Sequence, residues 1–273
     1  MIKVNGEEIK IEHFPDGTPR INLNINNIVE YEYNGCVYVD IDWFYENDSE
    51  LFYLMLIKKH IERHFTDVHY VLYMPYVPNA RMDRTKCDDE VFTLKYFCDF
   101  INSLNFDNVF VLDVHSNVST ALLNNCANEN PKEYVERAIN KINSDDNLVL
   151  FFPDEGSMKR YSDLFELPYC FGMKKRDWKT GKILGLDIID NGIDLKDKTI
   201  LIIDDISSRG GTFYYSSLAL KEKGVRNIYL YISHCENTIL EGEVLTSGLI
   251  EKVFTTNSIF TKEHEKIEVF GLD

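Results

Sequence analysis

No apolar stretch in the 273-residue chain is long enough to cross a bilayer. Runs such as Leu51–Ile57 fall far short of the about 18–20 residues that a membrane helix needs. The first residues, with Lys3, Glu7 and Glu8 among them, lack the apolar core of a secretion signal. Six cysteines (36, 87, 98, 126, 170 and 235) form no C-x-x-C pair, so zinc-ligand spacing is absent. A disulfide framework is not expected in a chain of this length, and reduced, mostly buried thiols are. Cations are also in short supply: 29 Lys and Arg stand against 45 Asp and Glu, a net charge of −16. Such a surface repels phosphate backbones and anionic lipids, which argues against nucleic-acid and membrane partners. The expectation is a soluble cytoplasmic protein. With 44% hydrophobic and 27% charged residues the composition is that of a folded globule, long enough for two domains.

Strands and helices alternate along the chain. Residues 36–42 read as a strand rich in Val, Ile and Tyr. Asp48 is placed to cap a helix running to about His64, with Leu51, Leu54, Met55 and Lys58 at helical spacing. A strand at 68–74, a loop rich in Pro, Arg and Asp at 75–89, a helix through Leu104 and a strand at 109–115 follow. The second half repeats the pattern with strands at 147–154, 199–205 and 227–234 and helices near 156–164 and 211–223. Apolar strands between amphipathic helices predict an α/β fold, mostly parallel sheets covered on both faces, with ligands beyond the carboxyl ends of the strands. The polar residues expected at those ends are Asp113, His115, Asp154, Asp204, Asp205 and His234. An internal echo pairs FDNVFVLDVHS (106–116) with VRNIYLYISHC (225–235), aligning His115 with His234. Two similar α/β halves are therefore expected, 1–128 and 129–273, meeting near the polar stretch Asn124–Lys132.

The strongest chemical signal is LIIDDISSRGGTF (201–213). A buried strand delivers two adjacent carboxylates, then a small loop, then a helix beginning near Gly211. Backbone N–H groups of such a loop and the helix start form an anion cradle, to which Ser208 and Thr212 add hydroxyls. Asp204 and Asp205 can accept hydrogen bonds from sugar hydroxyls or hold a metal ion. The combination suits a ribose phosphate. A plain βα turn is the structural alternative, but two aspartates closing an apolar strand are costly without a role.

That stretch resembles the signature of the type I phosphoribosyltransferase fold. With MPYVPNARMDRT (74–85), VLDVHS (111–116), FFPDEGSMKR (151–160), KKRDWKTGKI (174–183) and HFPDG (13–17) in order, the chain resembles the ribose-phosphate diphosphokinases from about residue 13 to 256. The resemblance implies two related phosphoribosyltransferase-like domains, an ATP side and a ribose-phosphate side. It also implies Mg2+-dependent transfer of the β,γ-pyrophosphoryl group of ATP to the C1 hydroxyl of ribose 5-phosphate.

By the same resemblance, Phe14, Asp16, Arg81, Met82, Asp83 and Arg84 fall on ATP-binding positions, and His115 and Asp154 on metal-linked ones. Lys174 and Arg176 fall on the basic pair of a catalytic loop, with Lys175 as an auxiliary cation. Asp204, Asp205, Ser207, Ser208, Arg209, Gly210, Gly211 and Thr212 fall on the ribose-phosphate site. The Phe14–Gly17 segment implies a homo-oligomer, since in the family it helps form a neighbour's ATP site. The chemistry of the residues agrees: paired arginines can clamp a triphosphate, and Lys174 and Arg176 stand out in an acidic chain.

The chain also departs from the pattern. It is shorter than the usual member, Ser116–Thr120 replaces a Gln-rich continuation, and Met82 and Thr18 stand where Gln and Glu are usual. Ser208-Arg209 replaces Asp-Thr ahead of Gly210-Gly211-Thr212, and an arginine there can reach past one phosphate to a second. ADP-ribose, as in NAD salvage, is therefore an alternative acceptor, giving ADP-ribose 1-pyrophosphate. A non-catalytic partner of an active synthetase and a phosphoribosyltransferase remain open readings at this point.

Overall fold

Two seven-stranded sheets form the framework of the protein in the computed structural model, which describes residues 1–28, 31–33, 36–65, 67–142, 147–176 and 183–272. They lie in two compact units, Met1–Asn130 and Pro131–Asp273. Unit 1 begins with short strands β1 (Ile2–Val4), β2 (Glu7–Glu8), β3 (Ile11–His13), β4 (Pro19–Ile21) and β5 (Tyr31–Tyr33). Then come β6 (Cys36–Trp43), α1 (Ser49–Glu62), β7 (Val68–Tyr73), α2 (Thr93–Ser103), β8 (Asn108–Leu112), α3 (Asn117–Leu122) and β9 (Cys126–Glu129). The sheet order is β2-β1-β6-β7-β8-β9, with β5 also on β6 and β3–β4 a separate hairpin. β6 through β9 run parallel, whereas β1 pairs antiparallel with β6.

Unit 2 holds α4 (Lys132–Lys141), β10 (Leu148–Phe152), α5 (Glu155–Tyr161), β11 (Tyr169–Arg176), β12 (Ile183–Ile189) and β13 (Thr199–Ser207). α6 (Gly211–Glu222), β14 (Asn227–Cys235), α7 (Glu243–Thr246), β15 (Lys252–Thr256) and β16 (Ile267–Phe270) complete it. The order is β12-β11-β10-β13-β14-β15-β16, all parallel except β11–β12.

Strand order decides where the helices go. Crossovers between parallel strands are right-handed, so strands added steadily in one direction place every connecting helix on one face. Unit 1 is of that kind. Its single apolar core joins alternate residues of β6 (Val39, Ile41, Trp43), β7 (Tyr70, Leu72) and β8 (Val109, Val111) to Leu54, Ile57 and Ile61 of α1 and Phe97 and Ile101 of α2. The opposite face, with Asp40, Asp42, Val71, Tyr73 and Phe110, is only half-buried. Unit 2 grows both ways from β10 and β13, which sends helices to both faces. One core packs Val149, Phe151 and Ile202 under α6, and a second packs Leu150, Phe152 and Leu201 under α4 and α5. The expectation of sheets covered on both faces thus holds in unit 2, while unit 1 covers one.

Other details depart from the sequence reading. Asp48 does not cap α1 with its side chain. Its carboxylate accepts from the Tyr45 hydroxyl at 2.8 Å, and Asn47 Oδ1 takes the Ser49 N–H at 3.1 Å instead. β8 ends at Leu112 because Asp113, buried, adopts a left-handed φ of 41° and turns the chain out of the sheet. His115 therefore lies beyond the strand. Its counterpart in the echo, His234, stays inside β14 opposite Ile206, buried, with Nδ1 2.9 Å from Ser258 Oγ. Burial pushes the thiols of Cys98, Cys170 and Cys235 up to about 12, which leaves them unreactive near neutrality. Among the described residues, no helix is long and apolar enough to cross a membrane.

Candidate active site

In unit 2 the strand order reverses between β10 and β13, and their carboxyl ends border the crevice that such a reversal opens. β10 leads to Asp154, and β13 carries Asp204 and Asp205 before the 208–212 loop. Asp154 caps α5: its Oδ1 accepts from Gly156 N at 3.0 Å and from Ser157 N at 3.1 Å. α5 then holds the aspartate pair with two residues one turn apart. Ser157 Oγ lies 2.9 Å from Asp204 Oδ1 and 3.4 Å from Asp154 Oδ1, so its single proton goes to Asp204. Arg160 Nη1 stands 3.4 Å from Asp205 Oδ1, giving that buried carboxylate a counter-charge. Desolvation first, then the negative charge of Asp205 and, more weakly, that of Asp154, holds the Asp204 carboxyl well above the usual carboxylate range; the Ser157 hydrogen bond opposes this.

The loop itself is tightly buttressed. Ser207 is buried and donates to the Ser208 carbonyl at 3.1 Å, and Ser208 Oγ donates to Glu236 Oε2 at 2.7 Å. Arg209 donates through Nε (3.1 Å) and Nη2 (2.7 Å) to Glu241 Oε2. Gly210 has φ 75°, and a β-carbon on it would stand 2.3 Å from Val244 Cγ2, so both backbone angle and space demand glycine. Gly211, the first residue of α6, faces open space: a β-carbon there would meet nothing within 4 Å. Thr212 is exposed beside it. At the start of α6 the Phe213 and Tyr214 N–H groups both donate to the Gly210 carbonyl at 3.0 Å, so the N–H groups that this helix start offers an anion are those of Gly211 and Thr212.

β11 pairs with β10 only as far as Phe171 and runs on through Arg176 as a ribbon with β12. At about 3.3 Å per residue the ribbon projects roughly 16 Å past the carboxyl end of β10. Gly172 permits its exit, since a β-carbon there would lie 2.7 Å from the Pro153 carbonyl oxygen. The backbone of Lys174, Lys175 and Arg176 thus leaves the same edge of the sheet as Asp154 and Asp204, with a register shift at Lys175/Arg176. The side chains of these three lie outside the described residues, as does the Lys179–Gly181 turn.

In unit 1 the loop after β7 carries Arg81, Met82, Asp83 and Arg84. Arg81 and Arg84 are exposed, and Met82 and Asp83 are half-buried. Met82 N donates to the Asn79 carbonyl at 2.9 Å, where Asn79 turns the chain with φ 64°. Arg84 Nε is 3.9 Å from Asp83 Oδ1. His115, half-buried, follows β8 at the same carboxyl edge. Phe14 and Asp16 occupy the β3–β4 turn. Phe14 is exposed, and Asp16 accepts from Thr18 N (3.0 Å) and Thr18 Oγ1 (2.7 Å), contacts that hold its carboxyl below the usual range. The structure therefore brings Asp154, Asp204, Asp205 and 207–212 together in unit 2, and separately sets 81–84 and His115 on one edge of unit 1.

Four residues of the unit 2 site escaped the sequence reading as functional groups: Ser157, Arg160, Glu236 and Glu241. Only Ser157 and Arg160 carried a signal, through their place in the 151–160 segment. Among the described residues no group of three or more His, Cys, Asp or Glu side chains forms a metal cage. A single carboxylate such as Asp154 nonetheless fits Mg2+, which takes one or two carboxylates and completes its shell with water and phosphate.

No family model matches the chain. It is 28% identical over 209 residues to the ribose-phosphate pyrophosphokinase of Clostridium perfringens, covering 72% of this chain and 62% of that relative, so the match spans less than two thirds of the relative's length. The ribose-phosphate pyrophosphokinase of Thermococcus kodakarensis is 25% identical over 260 residues, 93% of this chain and 86% of its own. The crystal structure of phosphoribosylpyrophosphate synthetase from Mycobacterium smegmatis superposes with a TM-score of 0.74 at 17% identity, over 97% of this chain and 86% of that one. Over nearly its whole length the chain is thus similar in sequence to proteins named ribose-phosphate pyrophosphokinase, and it shares the fold of a phosphoribosylpyrophosphate synthetase.

Proposed function

We propose that the protein is an ATP-dependent ribose-phosphate diphosphokinase. The carrying observation is the aspartate pair held by Ser157 and Arg160 immediately before an anion loop, in a chain related to enzymes named for this reaction. In the reaction the C1 hydroxyl oxygen of ribose 5-phosphate forms a bond to the β-phosphorus of ATP. The bond from that phosphorus to the α,β-bridging oxygen breaks, AMP leaves with the oxygen, and the hydroxyl proton is released. Little covalent work falls to the protein, so positioning and charge stabilisation dominate.

Asp204 and Asp205 accept hydrogen bonds from the ribose hydroxyls, and Ser207 through Thr212 hold the 5-phosphate. Arg81 and Arg84 grip the triphosphate, with Met82 and Asp83 beside the nucleotide. Lys174 and Arg176 offset the negative charge that spreads over the moving phosphoryl group. Mg2+ would be held at Asp154 and, separately, at His115, and would supply charge neutralisation of the phosphate oxygens. Phe14 and Asp16 belong to the ATP site of a neighbouring subunit in a cytoplasmic homo-oligomer. In this reading residues 1–128 form the ATP side and 129–273 the ribose-phosphate side.

One observation favours a second acceptor. Arg209 places a long exposed cation on the loop, and the terminal ribose of ADP-ribose offers the same C1 hydroxyl with one phosphate more. The deciding measurement is AMP release from ATP and Mg2+ with either acceptor. Faster release with ribose 5-phosphate is expected under the first reading. Faster release with ADP-ribose, with the preference lost in Arg209→Thr, establishes the second; no release with either refutes both.

A further inference from the structure

We infer that Glu241 sets the phosphate affinity of the 208–212 loop by competing with the ligand for Arg209. The inference rests on the assignment of that loop to a phosphate and adds a specificity-determining residue outside it. Nε and Nη2 of Arg209 form the edge of the guanidinium that grips a phosphate bidentately, and both point at one oxygen of Glu241. Glu241 thus takes the two N–H groups an incoming phosphate needs, and its charge also repels that phosphate.

The pairing is built by the backbone rather than by a chance meeting of long side chains. Glu241 closes a 3-10 turn, Asn237–Glu241, that follows β14. Gly242 comes next, and a β-carbon on it would fall 1.9 Å from the Arg209 carbonyl oxygen, so the two backbones touch where only glycine fits. On the other side Val244 packs against Gly210. The same segment supplies Glu236, which takes the Ser208 hydroxyl. Both side chains that depart from the usual loop pattern, Ser208 and Arg209, are therefore held by carboxylates of one short segment.

The pair is also poised to exchange. Arg209 is 71% and Glu241 59% exposed, so water screens their attraction, and a dianionic phosphate on the same guanidinium edge is the stronger partner. Glu241 lowers affinity without blocking the site.

The test is calorimetric titration of the full chain with inorganic phosphate and with ribose 5-phosphate at fixed low salt. It uses wild type, Glu241→Gln, Glu241→Ala, Arg209→Gln and the Arg209→Gln/Glu241→Gln double variant. Removing the competitor at an exposed pair is expected to tighten binding about two- to five-fold in both Glu241 variants. The gain should vanish in the Arg209→Gln background. Unchanged or weaker binding in the Glu241 variants overturns the inference, as does a gain that persists without Arg209, which would be a general charge effect. Wild type that binds, with Glu241 variants unaffected, leaves the phosphate-loop assignment standing. Wild type that takes up neither probe overturns both together. Melting temperatures within about a degree of wild type verify that each variant is folded, because so exposed a pair contributes little to stability.

Discussion

Unit 1 and unit 2 use the same material, parallel strands joined by helices, yet differ in one topological respect. The parallel strands of unit 1 follow one another from β6 to β9, and its helices gather on one side. Unit 2 turns back on itself at β10 and β13, and its helices divide between two faces and two cores. The reversal gives unit 2 a crevice with carboxylates on both lips. In unit 1 the polar groups are strung along the edge, on the long loop after β7 and the turn after β8. The difference teaches that strand order, which no local pattern encodes, decides whether functional groups converge or lie in a row.

The largest effect expected from this contrast is in packing. Leu201, fully buried on one face of β13, should lose about 2–5 kcal/mol on substitution by Ala, the range for core truncations. Val71, on the half-buried face of β7, should lose about 1 kcal/mol or less. Hydrogen exchange followed separately in the two sheets measures both, and equal losses would break the comparison.

Next comes Gly210→Ala. The left-handed angle and the 2.3 Å approach to Val244 together should cost about 2–4 kcal/mol, felt in the loop and α7 while unit 1 exchange stays unchanged. Gly17→Ala in the β3–β4 turn, with φ 84° but no atom within 4 Å of the added carbon, should cost only about 1 kcal/mol. Thermal unfolding of both variants separates strain from collision.

The smallest effect has the opposite sign. The Asp204 proton is held more tightly in the folded protein than in the unfolded chain, so its contribution to stability is largest at low pH. That contribution is lost as pH rises from the ordinary value of 3.8 through the raised one. Asp204→Asn should therefore unfold about 2–4 °C higher than wild type at pH 7, the shift for about 1 kcal/mol, with the gap closing below pH 4. Diphosphokinase activity should fall in the same variant. Loss of stability at pH 7 would mean that Ser157 and Arg160 offset the crowding of the three aspartates more fully than the geometry indicates.

Where local pattern and tertiary structure agree, the sequence was a good guide. The strand at β6, the α1 and α6 helices and the LIIDDISSRGGTF unit are all continuous features, and each appears within a residue or two of its expected place. The departures have nonlocal causes. β9, with the sequence Cys-Ala-Asn-Glu, is exposed along most of its length and is a strand only because β8 pairs with it. Asp113 breaks the echo of the two halves by a single left-handed turn. Ser157 meets Asp204 across 47 residues, and Arg209 meets Glu241 across 32, distances at which spacing carries no signal. The 236–241 segment, Glu-Asn-Thr-Ile-Leu-Glu, matches no motif, and only the folded chain brings Glu236 and Glu241 to the loop.

The contact between Gly242 and the Arg209 carbonyl bears on how such a protein can change. Two backbones that touch where no β-carbon fits cannot drift apart or lengthen independently, so insertions in either segment are closed to selection. Variation is left to the side chains at 208, 209, 236 and 241, which can be exchanged without moving the main chain. Ligand preference in descendants of this chain should therefore shift by paired charge changes at 209 and 241, a covariation to be sought among its relatives and a compact target for redesign.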